Sequence, residues 1–210
     1  MTTRFSNRFW ISAGASTFSL GTEPGSTRYT DRNYQIKTTP ILNFGLGANR
    51  FAFLANLGNA STDSATVGIY DFKGTYEVLT MNYSAWSLIG SVGATFQQLN
   101  PSNQTGTTPL KTISTGGPAG ELAAHYRLFN SVKAIGGGDF YYPALTSDQE
   151  GLQPLSYGWS LFAALRARVT SSFNIELGTR YRYFRLPVAG DNFGFQQRFL
   201  TIDLSLYWMF

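Results

Sequence analysis

Twelve ionisable side chains recur at alternating positions along the chain: Lys37, Glu121, His125, Arg127, Lys133, Asp139, Arg166, Arg168, Glu176, Arg180, Arg182 and Asp203. Each stands on the polar side of a stretch whose other side is apolar. Such a set could supply acids and bases for hydrolysis, or cations along a route for anions. Hydrolysis is poorly provided for. His125 is the only histidine, no Gly-x-Ser-x-Gly elbow occurs, and one His without Cys is too little for a metal site. A lone His among charges is more often a structural residue than a base, so no catalytic residue, metal or cofactor is expected. Packing and passage remain. Charges enclosed together must be paired to be tolerated, which predicts a network with a basic surplus, while an arginine-lined constriction biases a pore toward anions.

The elements that must carry these residues are strands. From Leu200 to Phe210 every even position is apolar (Leu200, Ile202, Leu204, Leu206, Trp208, Phe210), whereas the odd positions begin Thr201, Asp203, Ser205 and Tyr207. Period two with one purely apolar face means a strand between an apolar and a polar medium. The same alternation runs through 8–20, 34–46, the stretch from Phe51 to Leu57, 76–85, 86–97, 118–129, 132–142, 155–169 and 173–184. Pro40 cannot donate to a ladder, so a bulge is predicted there. Region 59–74 is ambiguous: Ala65–Tyr70 reads as a short strand or as an extension of a hairpin. Connections are short near 48, 85, 130 and 171 and longer near 26, 65, 108, 149 and 191. That rhythm predicts an antiparallel up-and-down barrel of ten strands, with eight or twelve as alternatives.

If the polar faces point inward, the twelve residues share a lumen, Asp203 has partners in Arg180 and Arg182 on the adjacent strand, and Gly93, Gly137 and Gly178 leave room for long side chains. The apolar faces end in two aromatic levels. Trp10, Phe44, Phe51, Trp86, Phe173, Trp208 and Phe210 lie near the short turns; Tyr34, Phe96, Tyr142, Tyr157 and Tyr183 lie near the long connections. Two such levels are what a pair of membrane–water interfaces selects. A soluble β-sandwich or lipocalin-like barrel is the alternative, with the apolar face enclosed.

Composition agrees with a membrane barrel. Only 13% of residues are charged, about half the ~25% usual in soluble proteins, and 22 glycines and 16% aromatics favour strands and turns over helices. No apolar run approaches the ~18 residues of a transmembrane helix. At 210 residues and net charge +4 the chain reads as one domain, 1–210, with basic residues too dispersed for nucleic acid. Its first residues show no apolar leader core, so an exported chain would be in mature form with a start Met.

The terminal strand resembles the assembly signal of bacterial outer-membrane β-barrel proteins, with Asp203 and Ser205 followed by aromatics Trp208 and Phe210; Ser205 replaces the usual Gly. The resemblance implies residence in the bacterial outer membrane, contact with its lipid and lipopolysaccharide, and recognition by the barrel-assembly machinery. It also implies a porin-like or translocation barrel for a small or extended solute, or a structural, adhesive or receptor barrel with a plugged lumen, or the barrel of a larger secretion protein. Enzymes of this class fit less well. Omptin-type proteases place an Asp–His pair at the extracellular rim, whereas His125 falls toward the short turns. Lipid A deacylases need a Ser two residues after the His, where this chain has Arg127. Arg28, Arg32 and Lys111, in the longer connections, are expected to face lipopolysaccharide phosphates.

Overall fold

Alternating side chains can bury one face of a strand and expose the other, and ten such strands joined by hairpins leave no unpaired edge if the sheet closes. The protein adopts that solution. Its structure, a computed structural model, describes residues 9–24, 36–61, 66–103, 112–146, 157–188 and 193–210. For 18–24, 36–38, 101, 113, 145, 146, 185–188 and 193–197 the description is of the backbone.

The strands are β1 (Phe9–Pro24), β2 (Ile36–Ala48), β3 (Phe51–Ser61), β4 (Thr66–Asn82), β5 (Trp86–Ser102), β6 (Ile113–Arg127), β7 (Val132–Tyr141), β8 (Leu145–Thr146), β9 (Tyr157–Arg168), β10 (Phe173–Val188) and β11 (Phe193–Met209). β8 is a two-residue piece pairing only with β6 at Thr115 and Gly116, so ten strands make the wall. Every pairing is antiparallel between neighbours around the ring, and β1 closes on β11 from Trp10↔Met209 to Pro24↔Phe195. The amide of Phe210 donates to the carbonyl of Phe9 at 2.9 Å, tying the chain's last residue into the seam. The short connections all lie at one end. In the first of them Asn49 takes a φ of 55°, a left-handed conformation Asn tolerates better than most residues.

The apolar faces point outward. Leu161, Leu177, Leu204 and Leu122 are 51–58% exposed, and aromatic pairs Phe173–Trp208, Phe9–Phe210 and Tyr83–Trp86 flank the short-turn end. Trp159, Tyr181 and Tyr183 cluster on the outside toward the other end. This is the membrane arrangement, not the enclosed apolar face of a lipocalin-like barrel.

Three details depart from the sequence reading. Trp10 belongs to the inner face, where its ring lies over Gly47, directly opposite on β2, and 5.5 Å from the ring of Tyr207. A side chain on Gly47 would collide with the indole, so the glycine is what admits it. The expected bulge at Pro40 falls beside it: Pro40 faces Thr17 in register, and the ladder shifts between Phe18↔Thr39 and Leu20↔Ile36. The ambiguous region resolves into one 17-residue strand, β4, interrupted by a bulge between Glu77 and Leu79. An inserted residue moves side chains to the opposite face. Tyr70, Phe72 and Tyr76 face outward before the bulge; Leu79 and Met81 do so after it.

Candidate functional site

The inner face of β4 carries Asp71 and Lys73, and the middle of the lumen is built around them. Lys73, 6% exposed, reaches two acids that lie two and three strands along the ring. Its Nζ donates to Glu121 Oε2 of β6 at 2.5 Å and to Asp139 Oδ2 of β7 at 2.6 Å. Arg180 of β10 shares Asp139 at 3.1 Å and stacks its guanidinium on Phe162 at 4.9 Å. Ser160 donates to the other Asp139 oxygen at 2.7 Å. Gly137, opposite Phe162 on β9, leaves the space that ring occupies.

Asp71 accepts from Arg182 Nη1 at 2.8 Å and from Asn56 at 3.1 Å. In the ring order, β4 and β10 are separated by five strand steps in either direction. The Asp71–Arg182 pair therefore spans the diameter of the barrel. Its 13% and 9% side-chain exposures place it out of bulk water, where charges persist only with partners. Asp71 Oδ1 has no hydrogen-bond partner among the described residues. It borders a cavity of about 130 Å³ whose wall is part polar, with Ser12, Asn43, Arg180 and Asp203, and part apolar, with Leu54 and Phe199. Such a volume admits several waters. Small side chains hold that wall together: Asn43 donates to Ser16 at 2.7 Å and accepts from Ser205 at 3.3 Å.

Toward the long connections the interior turns apolar. Ile41, Ala60, Val67, Ile69, Leu99, Tyr141, Phe184 and Phe199 form one packed cluster, each at most 6% exposed. They come from seven of the ten wall strands. Tyr141 and Phe184 meet edge-to-face at 4.9 Å over Gly158, which pairs with both, and Phe184 meets Phe199 at 5.3 Å.

Toward the short turns the interior is basic. Arg166 holds Glu176 with two nitrogens, each at 2.6 Å, and lies over the Tyr207 ring at 4.3 Å. Arg127, Lys133 and Arg168 are exposed at that mouth. His125 sits just inside, half-buried, between Ser87 and Ile135, at the end remote from the long connections.

The residues expected in the lumen thus separate into levels. Glu121, Asp139, Arg180 and Arg182 meet in the central network, Arg166 and Glu176 form their own pair, and Arg127, Lys133 and Arg168 stand at the mouth. The side chain of Lys37 lies outside the described residues, as do Tyr34, Arg28, Arg32 and Lys111. Asp203 does not join Arg180 or Arg182, because those arginines reach Asp139 and Asp71 on more distant strands. It accepts from Thr201 at 3.4 Å on its own strand and lines the cavity. The two central residues that sequence reading missed, Asp71 and Lys73, were hidden by the phase change in β4. Alternation of Ile69, Asp71, Lys73 and Thr75 against Tyr70, Phe72 and Tyr76, taken before Val78, would have found them. At the terminus Ser205 and Asp203 face inward, while Trp208 and Phe210 face outward at 39% and 70% exposure.

No protein-family model and no curated protein matches the sequence. In three dimensions the chain is similar to solved bacterial outer-membrane barrels. The outer-membrane protease OmpT from Escherichia coli aligns with a TM-score of 0.56 at 12% identity, over 99% of this chain and 98% of that one. The translocator domain of the autotransporter NalP from Neisseria meningitidis gives 0.43 at 13% identity, over 100% and 90% of the two chains. OprG from Pseudomonas aeruginosa gives 0.42 at 11%, over 97% and 96%. At these identities the likeness is one of fold: the chain has the architecture of a bacterial outer-membrane β-barrel.

Proposed function

We propose that the protein is a single-domain integral barrel of a bacterial outer membrane whose lumen is closed by its own side chains, and that it acts as a structural or receptor element rather than as an open pore. The observation that carries this reading is the apolar cluster of Tyr141, Phe184, Phe199, Ile41, Ile69 and Leu99. The full cluster, contributed by seven of the ten wall strands, sets apolar side chains across the route that a hydrated ion would take. The cross-lumen ion pairs below it support the same reading, since each cation of the middle level is engaged by an acid. A non-enzymatic role is supported by the position of the lone His125 at the short-turn end.

Several wall strands support a role at the outer surface. β4, β5 and β11 have 17 residues and β1 and β10 have 16, whereas about 9–11 tilted residues cross a bilayer. The surplus lengthens the wall past the membrane. The outward aromatics and leucines suit the membrane lipid, with lipopolysaccharide around the lengthened wall. Asp203, Ser205, Trp208 and Phe210 suit recognition by an assembly machinery.

A narrow, anion-preferring channel is the second reading, and the cavity lined in part by Arg180 and Arg182 favours it. Planar-bilayer recording of the purified protein separates the two. A closed barrel gives no unitary conductance steps above detergent controls; reproducible steps with anion selectivity would overturn the closed reading in favour of the channel.

A further inference from the structure

The basic mouth at the short-turn end is built unlike the rest of the interior. In register, Arg127 of β6 faces Lys133 of β7, and Lys133 faces Arg166 of β9. Directly opposed side chains in an antiparallel pair stand roughly 5 Å apart at Cβ, and like charges there destabilise the sheet. Three cations in one row are therefore an unfavourable arrangement for the wall itself. Arg168, two residues beyond Arg166, adds a fourth charge, and Lys133 lies within electrostatic reach of all three arginines.

One acid balances one of them, Glu176 standing opposite Arg166 in register. Glu176 is committed to Arg166, with both its oxygens engaged: Oε2 by the guanidinium and Oε1 by the Tyr207 hydroxyl at 3.2 Å. Arg168 reaches only the backbone carbonyl of Asn130, at 3.4 Å. Among the described residues Arg127 and Lys133 have no ion pair. One level higher in the same lumen the charges balance, with Lys73, Arg180 and Arg182 set against Glu121, Asp139 and Asp71. Solvation alone would serve scattered surface cations, but it does not account for opposing them on three adjacent strands of one inner face.

We infer that this row is a binding site for a polyvalent oxyanion of the phosphate class, entering from the short-turn end. Guanidinium groups match phosphate oxygens in bidentate geometry and an ammonium adds a point charge. A row spanning roughly 10 Å, from two such spacings, offers contacts to more than one phosphoryl group. The row faces the barrel axis and not the surrounding bilayer, so the site suits a soluble anion. The inference is independent of whether the lumen conducts.

Titration calorimetry with inorganic pyrophosphate tests it, on the full chain in a non-ionic detergent, with sodium chloride at matched ionic strength as control. Saturable binding and a rise in unfolding temperature with pyrophosphate are expected. Lys133→Gln should weaken binding at least tenfold, whereas Arg50→Gln, which removes a cation from a short turn at the same end but outside the row, should change it less than twofold. Without anion, Lys133→Gln should be at least as stable as the parent because it relieves repulsion. Absence of saturable binding, equal losses in the two variants, or destabilisation by Lys133→Gln alone would overturn the proposal. Repeating the titration in nanodiscs of zwitterionic and of anionic phospholipid identifies the source of the phosphate. Undiminished binding in both points to a free solute; loss only in the anionic discs makes a lipid headgroup the resident ligand.

Discussion

Two adjoining levels of the lumen are occupied by opposite means. Around Lys73 the space is occupied by charges that fix one another's positions; around Phe184 it is occupied by rings and aliphatic chains that fix only volume. The ionic level is specific but brittle, since removing one member strands the others in a medium that solvates them poorly. Loss in the apolar level scales with the atoms deleted and the space they leave. A barrel with either level alone would meet a problem the other solves: charges without a cover admit water, and rings without ties lack a fixed register across the axis.

The contrast can be broken by substitution. Lys73→Met has the largest expected effect, about 5 kcal/mol of unfolding free energy, because it leaves Glu121 unpaired and Asp139 with Arg180 alone. Urea titration in lipid vesicles reads the loss. Adding Glu121→Gln, which neutralises the acid left without a partner, should restore part of it; if the double variant stays as weak as the single one, the ionic level is not a unit. Phe184→Ala should cost about 4 kcal/mol, and it also tests which level seals the lumen. Unitary conductance in this variant, but not in Lys73→Met, would assign the barrier to the apolar level, and the opposite result would assign it to the ion pairs. The smallest effect is at Ile69→Val, about 1 kcal/mol, measured in the same titration with no conductance. A loss several times larger there would mean that the apolar level is as intolerant of small changes as the ionic one.

The wall was legible in the sequence, and the interior much less so. Leu200–Phe210 shows its period without interruption, and the hairpin rhythm yields the number of strands, because alternation is a local property. The centre of the lumen depends on which distant faces meet. Lys73 and Asp71 sit just before an inserted residue that reverses the phase of β4, so the polar face there could not be joined to the polar face after Val78. Asp203 was matched with the nearest cations along the seam, whereas Arg180 and Arg182 are long enough to pass over it to acids on more distant strands. Trp10 shows the same limit. Its own alternation puts it on the inner face with Ser12, Gly14 and Ser16, but that Gly47 stands opposite and admits the indole is a fact of pairing.

The strut between Asp71 and Arg182 has a consequence for the order of events in folding. Its partners are 111 residues apart in the chain and on opposite sides of the finished ring, so no hairpin and no half-formed sheet can bring them together. Ordering so long a loop is costly until neighbouring strands have already done most of it. The pair should therefore form among the last contacts, once β1 has met β11, and a probe placed there would report completion of the barrel where probes in the hairpins report only its beginning.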